Sequence, residues 1–259
     1  PQWLQDWAMS EEDNIFWTTG VFQYPDGLPE VPRAGGVTCR DKFGNIADVA
    51  EVVFDMPYMV ADGSAKLHCV RDLSRAGWAI RWLYANMQVQ YTVAGPVWGP
   101  LRQTAQAAEH VGFAIGYELA ASPFAGYSDC LGVVNCANLD AVEQFSGSRA
   151  YAGTRRAALA NYGGRHFQQA FHVPAHRSDA AIEQLSSFDK SIALANKQVD
   201  LDAKAEMRKN APMVADVEKD VEALLKRQRV VLETIAATLC EFPKEKKWPR
   251  VECLEQAER

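Results

Sequence analysis

Four acidic residues stand where a folded chain would not place an unpartnered charge. Asp62 follows the apolar run Tyr58-Met59-Val60-Ala61, which reads as a strand ending in Asp62-Gly63-Ser64, and a carboxylate there is costly to bury alone. Glu109 lies four residues after Ala105 and three before Gly112, on or beside the apolar stripe of a helix marked by Leu101, Ala105, Ala108, Gly112, Ile115 and Leu119. Asp129 follows Ala125-Gly126-Tyr127-Ser128 at a strand-to-helix junction, where capping is the simpler role for that residue by itself. Asp200 ends the helical stretch Asn196-Lys197-Gln198-Val199-Asp200, as readily a solvated face as a site. Carboxylates that converge repel one another unless a cation sits among them. Ligation by oxygen alone favours magnesium or manganese over zinc or copper. Two such ions activate a water and stabilise a leaving oxygen in phosphodiester cleavage.

The elements that must position these groups alternate in type. Strands are expected at Tyr58–Ala61, Ala76–Leu83, Met87–Val93, Phe124–Ser128 and Phe167–Val173, with helices after Gly99-Pro100 and from Cys130. A small hairpin through Gly35–Arg40 and Ala47–Phe54 is expected around Lys42-Phe43-Gly44-Asn45, with turn signals at Pro25-Asp26-Gly27 and from Pro29 to Gly36. Gly126-Tyr127-Ser128-Asp129-Cys130 lacks the second glycine of a nucleophile elbow, which argues against a serine hydrolase. Neither G-x-x-x-x-G-K-[ST] nor G-x-G-x-x-G occurs, so the usual nucleotide cradles are excluded.

The chain of 259 residues is 48% hydrophobic and 23% charged with a formal charge of -6, a composition of globular proteins. The acidity is concentrated: residues 1–57 carry 3 Lys or Arg against 10 Asp or Glu, while residues 58–204 carry 13 against 12. A basic surface must therefore be local. The stretch 144–178 holds no acid and contains Arg149, Arg155, Arg156, Arg165 and His166. The 6 cysteines form no CxxC pair, which fits reduced thiols inside a cell, cytoplasmic or nuclear. Pro174 between His172 and His176 prevents a helical zinc-binding pair. No apolar run reaches the length of a membrane-spanning helix, so no membrane partner is expected.

In order along the chain, five short motifs resemble type 1 ribonuclease H, especially the domains attached to retroelement reverse transcriptases. They are Val60-Ala61-Asp62-Gly63-Ser64-Ala65, Gln103-Thr104-Ala105-Gln106-Ala107-Ala108-Glu109, Tyr127-Ser128-Asp129, His172-Val173-Pro174-Ala175-His176-Arg177, and Asn196-Lys197-Gln198-Val199-Asp200 at a helix start. The resemblance covers about residues 57–205. Cys130 stands where the family usually has Ser or Thr, and the family's basic handle helix is not evident. The resemblance implies an α/β fold with a mixed five-stranded sheet flanked by helices. It implies that Asp62, Glu109, Asp129 and Asp200 hold two magnesium ions, replaceable by manganese, and that His176 assists proton transfer or product release. Asp202, and behind it Asp179 or Asp189, stay open as alternatives to Asp200. Expected substrate contacts are Gly63, Ser64, Asn196, Arg155 and Arg156.

The resulting division is an acidic extension or linker (1–56), a ribonuclease H-like domain (57–205) and a helical extension with a tail (206–259). In the last, Val214, Val217, Val221, Leu224, Gln228, Val231, Ile235 and Thr238 recur by threes and fours, with Leu225, Leu232 and Leu239 widening the stripe. That pattern suits a long helix over 213–239, packed on its own domain or available for self-association. The first residues Pro1-Gln2-Trp3 and the acidic N-terminal segment lead to the expectation of a polyprotein piece partnered by a reverse transcriptase domain. The activity expected is endonucleolytic cleavage of the RNA strand of RNA–DNA hybrids. The alternatives are a catalytically weak nucleic-acid-binding or scaffolding module of the same fold, or a transposase or integrase-type core.

Overall fold

A computed structural model describes residues 36–68, 73–97, 101–144, 146–162, 167–209 and 211–241. The turn signals before residue 36, the pair Arg165 and His166, and the tail beyond Pro243 lie outside them. Residues Glu30–Ala215 form one compact unit, and the chain from Asp216 onward belongs to a second.

The first unit is built on a mixed sheet. Its strands are β1 (Thr38–Asp41), β2 (Ile46–Ala47), β3 (Tyr58–Lys66), β4 (Arg75–Leu83), β5 (Val89–Pro96), β6 (Phe124–Ser128) and β7 (Phe167–His172), in the order β2-β1-β5-β4-β3-β6-β7. The helices are α1 (Ala105–Leu119), α2 (Leu131–Ala137), α3 (Ala141–Gln144), α4 (Ala152–Tyr162), α5 (Asp179–Glu183), α6 (Ser187–Lys209) and α7 (Ala211–Glu241). The central β3 pairs antiparallel with β4 and parallel with β6, and β6 pairs parallel with β7.

Five of these strands are the expected set; the sheet has seven because the hairpin joins it. Asp41 closes the hairpin turn by accepting from the Phe43 and Asn45 amides at 2.9 and 2.8 Å, and Gly44 takes φ +86°. The second strand is shorter than expected, since Asp48 starts a new turn by accepting from the Ala50 amide at 3.0 Å. Strand β1 then covers the edge of β5, from Thr38 opposite Ala94 to Asp41 opposite Tyr91, so β5 presents no open edge on that side.

Helices α1 and α6 cover opposite faces of the sheet. Met59, Trp78, Trp82, Phe54, Phe124 and Phe113 form the larger core beneath α1. Val60, Ala79, Leu83, Ile192, Val199 and Ala203 form the other beneath α6. Residues 59 and 60 on opposite faces express the two-residue period of a strand.

Two anchors set the start of α1. Thr104 caps it by accepting from the Ala107 amide at 3.1 Å, and the buried Gln103 accepts from the Ala76 amide of β4 at 3.2 Å. The helix lies so close to β3 that a Cβ added to Gly63 would fall 2.4 Å from the Glu109 backbone nitrogen. Gly63→Ala is therefore expected to cost about 1–3 kcal/mol or more through overpacking against backbone, read as a lower urea midpoint.

Candidate active site

Asp62 lies in the middle of β3, not at its end as the sequence suggested. The strand continues through Gly63, Ser64 and Ala65, paired with Trp78, Gly77 and Ala76, to Lys66. Small residues on both strands let the ladder run past the acid. Asp62 is 5% exposed and accepts its neighbour's Gly63 amide at 2.6 Å. Glu109, equally buried, comes from the second turn of α1, and Asp129 follows the last residue of β6. One carboxylate oxygen from each of the three lies within 4.8 Å of the others.

Desolvation dominates the electrostatics. It raises the Asp62 carboxyl to about 6, aided by the Asp129 and Asp200 charges against the opposing effect of hydrogen bonds from Glu109 and Gly63. Burial, then the charge and hydrogen bonding of Asp62, push Glu109 well above the usual carboxylate range. Two carboxyls share a hydrogen bond only if one keeps its proton, and Glu109 is the one that keeps it. Three converging acids, two of them short of water, form an oxygen donor set whose charge a divalent cation would neutralise.

Asp200 and Asp202 sit two residues apart on α6 and so point to different sides. Asp202 pairs with Arg81 of β4 at 2.6 Å. Asp200 lines a cavity of about 190 Å³ with Asp129, His176, Arg177, Asn196 and Lys197, and pairs with Lys204 at 2.7 Å. The remaining alternatives are engaged elsewhere: Asp179 with Lys197 at 2.7 Å, and Asp189 with Ser186 at the start of α6. Asn196 and Asp200 stand well inside α6, which begins at Ser187 and not near Asn196 as expected, because Ser186 supplies the cap. Asn196 is 5% exposed, and its Oδ1 has no hydrogen-bond partner among the described residues. His176 occupies the loop after β7 with a left-handed φ of +52°, a conformation histidine adopts more readily than most residues.

The expected substrate contacts divide. Gly63 is consumed by the approach of α1, Ser64 is half-buried on β3, and Arg156 is exposed on α4. Arg155 is not a surface contact. It is 3% exposed and donates to His110 Nδ1 at 3.0 Å and to the Gln144 and Ala150 carbonyls at 3.2 Å. Burial, and then the Arg155 charge, hold His110 down at about 4, so the imidazole is neutral and its Nδ1 accepts. Sequence reasoning also missed Ser128, which is fully buried and donates to Glu109 Oε2 at 3.2 Å, and His172, whose Nε2 donates to the Asp129 carbonyl at 3.1 Å. A hydroxyl immediately before an acid at a strand end was the available signal for Ser128.

A central strand antiparallel to β4 and parallel to β6, with acids on β3, α1 and after β6, decides the architecture. The fold is ribonuclease H-like. Solved structures similar to this chain include the foamy viral protease-reverse transcriptase in complex with double-stranded DNA, at 14% identity and TM-score 0.41 over 63% of this chain and 99% of that one. A PFV ribonuclease H domain aligns at 16% identity and TM-score 0.43, over 60% and 98% of the two chains. The ribonuclease H1 of Halobacterium salinarum aligns at 16% identity and TM-score 0.36, over 48% and 92%. No protein-family model matches the chain, and no curated protein matches its sequence. No helix among the described residues is long and apolar enough to cross a membrane.

Two measurements test this electrostatic account. Metal-free protein binds more protons at Asp62 and Glu109 when folded than when unfolded, where both titrate near 4. Their contribution to stability is thus full below about pH 4; that of Asp62 is lost as pH rises through about 6, and that of Glu109 is lost as pH rises through its own raised range. Calorimetry in chelator should show a melting temperature that falls over that window, with a flatter profile in Glu109→Gln. Arg155→Ala should lower stability by about 1.5–3 kcal/mol or more, since it removes charged hydrogen bonds from a buried site. Arg156→Ala, at an exposed position, should cost less than Arg155→Ala, both read from urea titrations.

Proposed function

We propose that the chain is a metal-dependent endonuclease that hydrolyses the RNA strand of RNA–DNA hybrids, leaving a 3′-hydroxyl and a 5′-phosphate. The observation that carries this reading is the convergence of the Asp62, Glu109 and Asp129 carboxylates within 4.8 Å on a ribonuclease H-like sheet. Asp62, Glu109 and Asp129 would hold magnesium, with Asp200 completing the set from α6; manganese would substitute, both being hard cations served by oxygen. Bound divalent cations supply charge neutralisation and water activation at the scissile phosphate.

The chain's own residues do the rest. The near-dry setting of Asp62 and Glu109 raises their affinity for protons until a cation arrives. His176, across a small cavity from Asp200, delivers or removes a proton as the product leaves. Arg177 and Lys197 beside it give a departing phosphate a cationic surface. The wide A-form-like minor groove with 2′-hydroxyls on one strand is the recognised feature of the hybrid. A reverse transcriptase domain is the proposed companion.

The test is cleavage of an RNA–DNA hybrid beside matched RNA and DNA duplexes. Hybrid cleavage alone is the expected result; equal cleavage of the DNA duplex would overturn it. Asp129→Asn should abolish turnover while preserving the fold. His176→Ala should lower turnover by roughly ten- to a thousandfold with magnesium affinity unchanged.

A further inference from the structure

Ser128 is the one fully buried hydroxyl in contact with the carboxylate cluster among the described residues. Its Oγ makes two hydrogen bonds of opposite sense. It accepts from the Cys130 amide at 3.0 Å, closing a turn around Asp129, and donates to Glu109 Oε2 at 3.2 Å. A serine hydroxyl carries one proton. With a lone pair committed to the Cys130 amide, that proton has a single direction left, toward Glu109. The backbone of Ser128 is held as well, since its carbonyl accepts from the Val173 amide at 3.0 Å and the residue pairs with His172 of β7. On the far side of the turn, His172 Nε2 donates to the Asp129 carbonyl at 3.1 Å.

We infer that Ser128 is a positioning residue that ties the Glu109 carboxylate to the backbone turn carrying Asp129 for divalent-cation binding, with His172 bracing the same turn from β7. The inference rests on the metal-dependent reading of the site. Glu109 and Asp129 come from separate elements, α1 and the β6–α2 junction; the Ser128 hydroxyl donates to the first and accepts from the Cys130 amide that closes the turn around the second. Without it, the Glu109 side chain keeps only its hydrogen bond with Asp62, and the Asp129 turn loses a closing bond. The cation must then order both carboxylates as it binds, which weakens its affinity.

The experiment is calorimetric titration of magnesium alone into the full chain, alongside hybrid-cleavage kinetics and thermal melting. Ser128→Ala should weaken magnesium affinity by roughly ten- to a hundredfold, the usual cost of removing an outer-shell partner. It should lower kcat and leave the KM for hybrid unchanged. Ser128→Thr, which keeps the hydroxyl, should restore affinity toward wild type. If Ser128→Ala does not fold, Ser128→Cys keeps the volume with a far weaker donor and should show the same weakened affinity. His172→Phe should weaken affinity less than Ser128→Ala. Lost thermal stability with unchanged magnesium affinity in Ser128→Ala or Ser128→Cys overturns the inference and leaves the site reading intact. A wild-type chain that binds no magnesium overturns the site reading, and the inference with it.

Discussion

Keeping Asp62 and Glu109 side by side, nearly out of water, is the constraint on which the rest of the domain depends. Desolvation and mutual repulsion both oppose it, and both push the carboxyls of the pair above their ordinary range. The opposition is offset by packing that leaves neither side chain another place to go. Helix α1 is buried along nearly its whole length between the sheet and α4. Its start is tied to β4 by Gln103 and capped by Thr104, and its second turn rests on the bare backbone of Gly63. A larger residue at position 63 would push Glu109 away from Asp62, so the absent side chain is a condition of the site.

The opposite face of the sheet brings Asp200 into a cavity with Asp129 by a different device. Helix α6 buries Val199 and Ala203 against the strands, and Arg81 of β4 holds Asp202. Those contacts fix the rotation of the helix. Asn196 and Asp200, four residues apart, then share the side that faces Asp129 and His176. An ion pair on β4 thus sets where a carboxylate on α6 points.

The cations follow the same logic. A guanidinium in an acid-free stretch suggested nucleic-acid contact, but Arg155 is drawn inward by two carbonyls and by His110, itself stacked on Tyr151 at 4.6 Å. That network joins α4 to α1 and contributes to the platform beneath Glu109. Arg156, the next residue, faces outward. One helical step of about 100° separates a structural role from a surface one.

Much of this was legible in the residues themselves. Strand β6 is readable at its observed bounds, and the α1 stripe with Glu109 on or beside it; these follow from period and spacing, which are local properties. The architecture was legible only through the resemblance of five short motifs to type 1 ribonuclease H. The sequence could not separate Asp200 from Asp202, since both sit on one helix and only the partner across the space, Arg81 or the cavity, tells them apart. Nor could it extend β3 past Asp62, join the hairpin to β5, bury Arg155, or assign the Ser128 hydroxyl to Glu109. Each depends on a contact between residues distant along the chain. Periodicity and composition determined which elements form and in what order; which side chain faces which was decided by packing, because burial and hydrogen bonding act between neighbours in space.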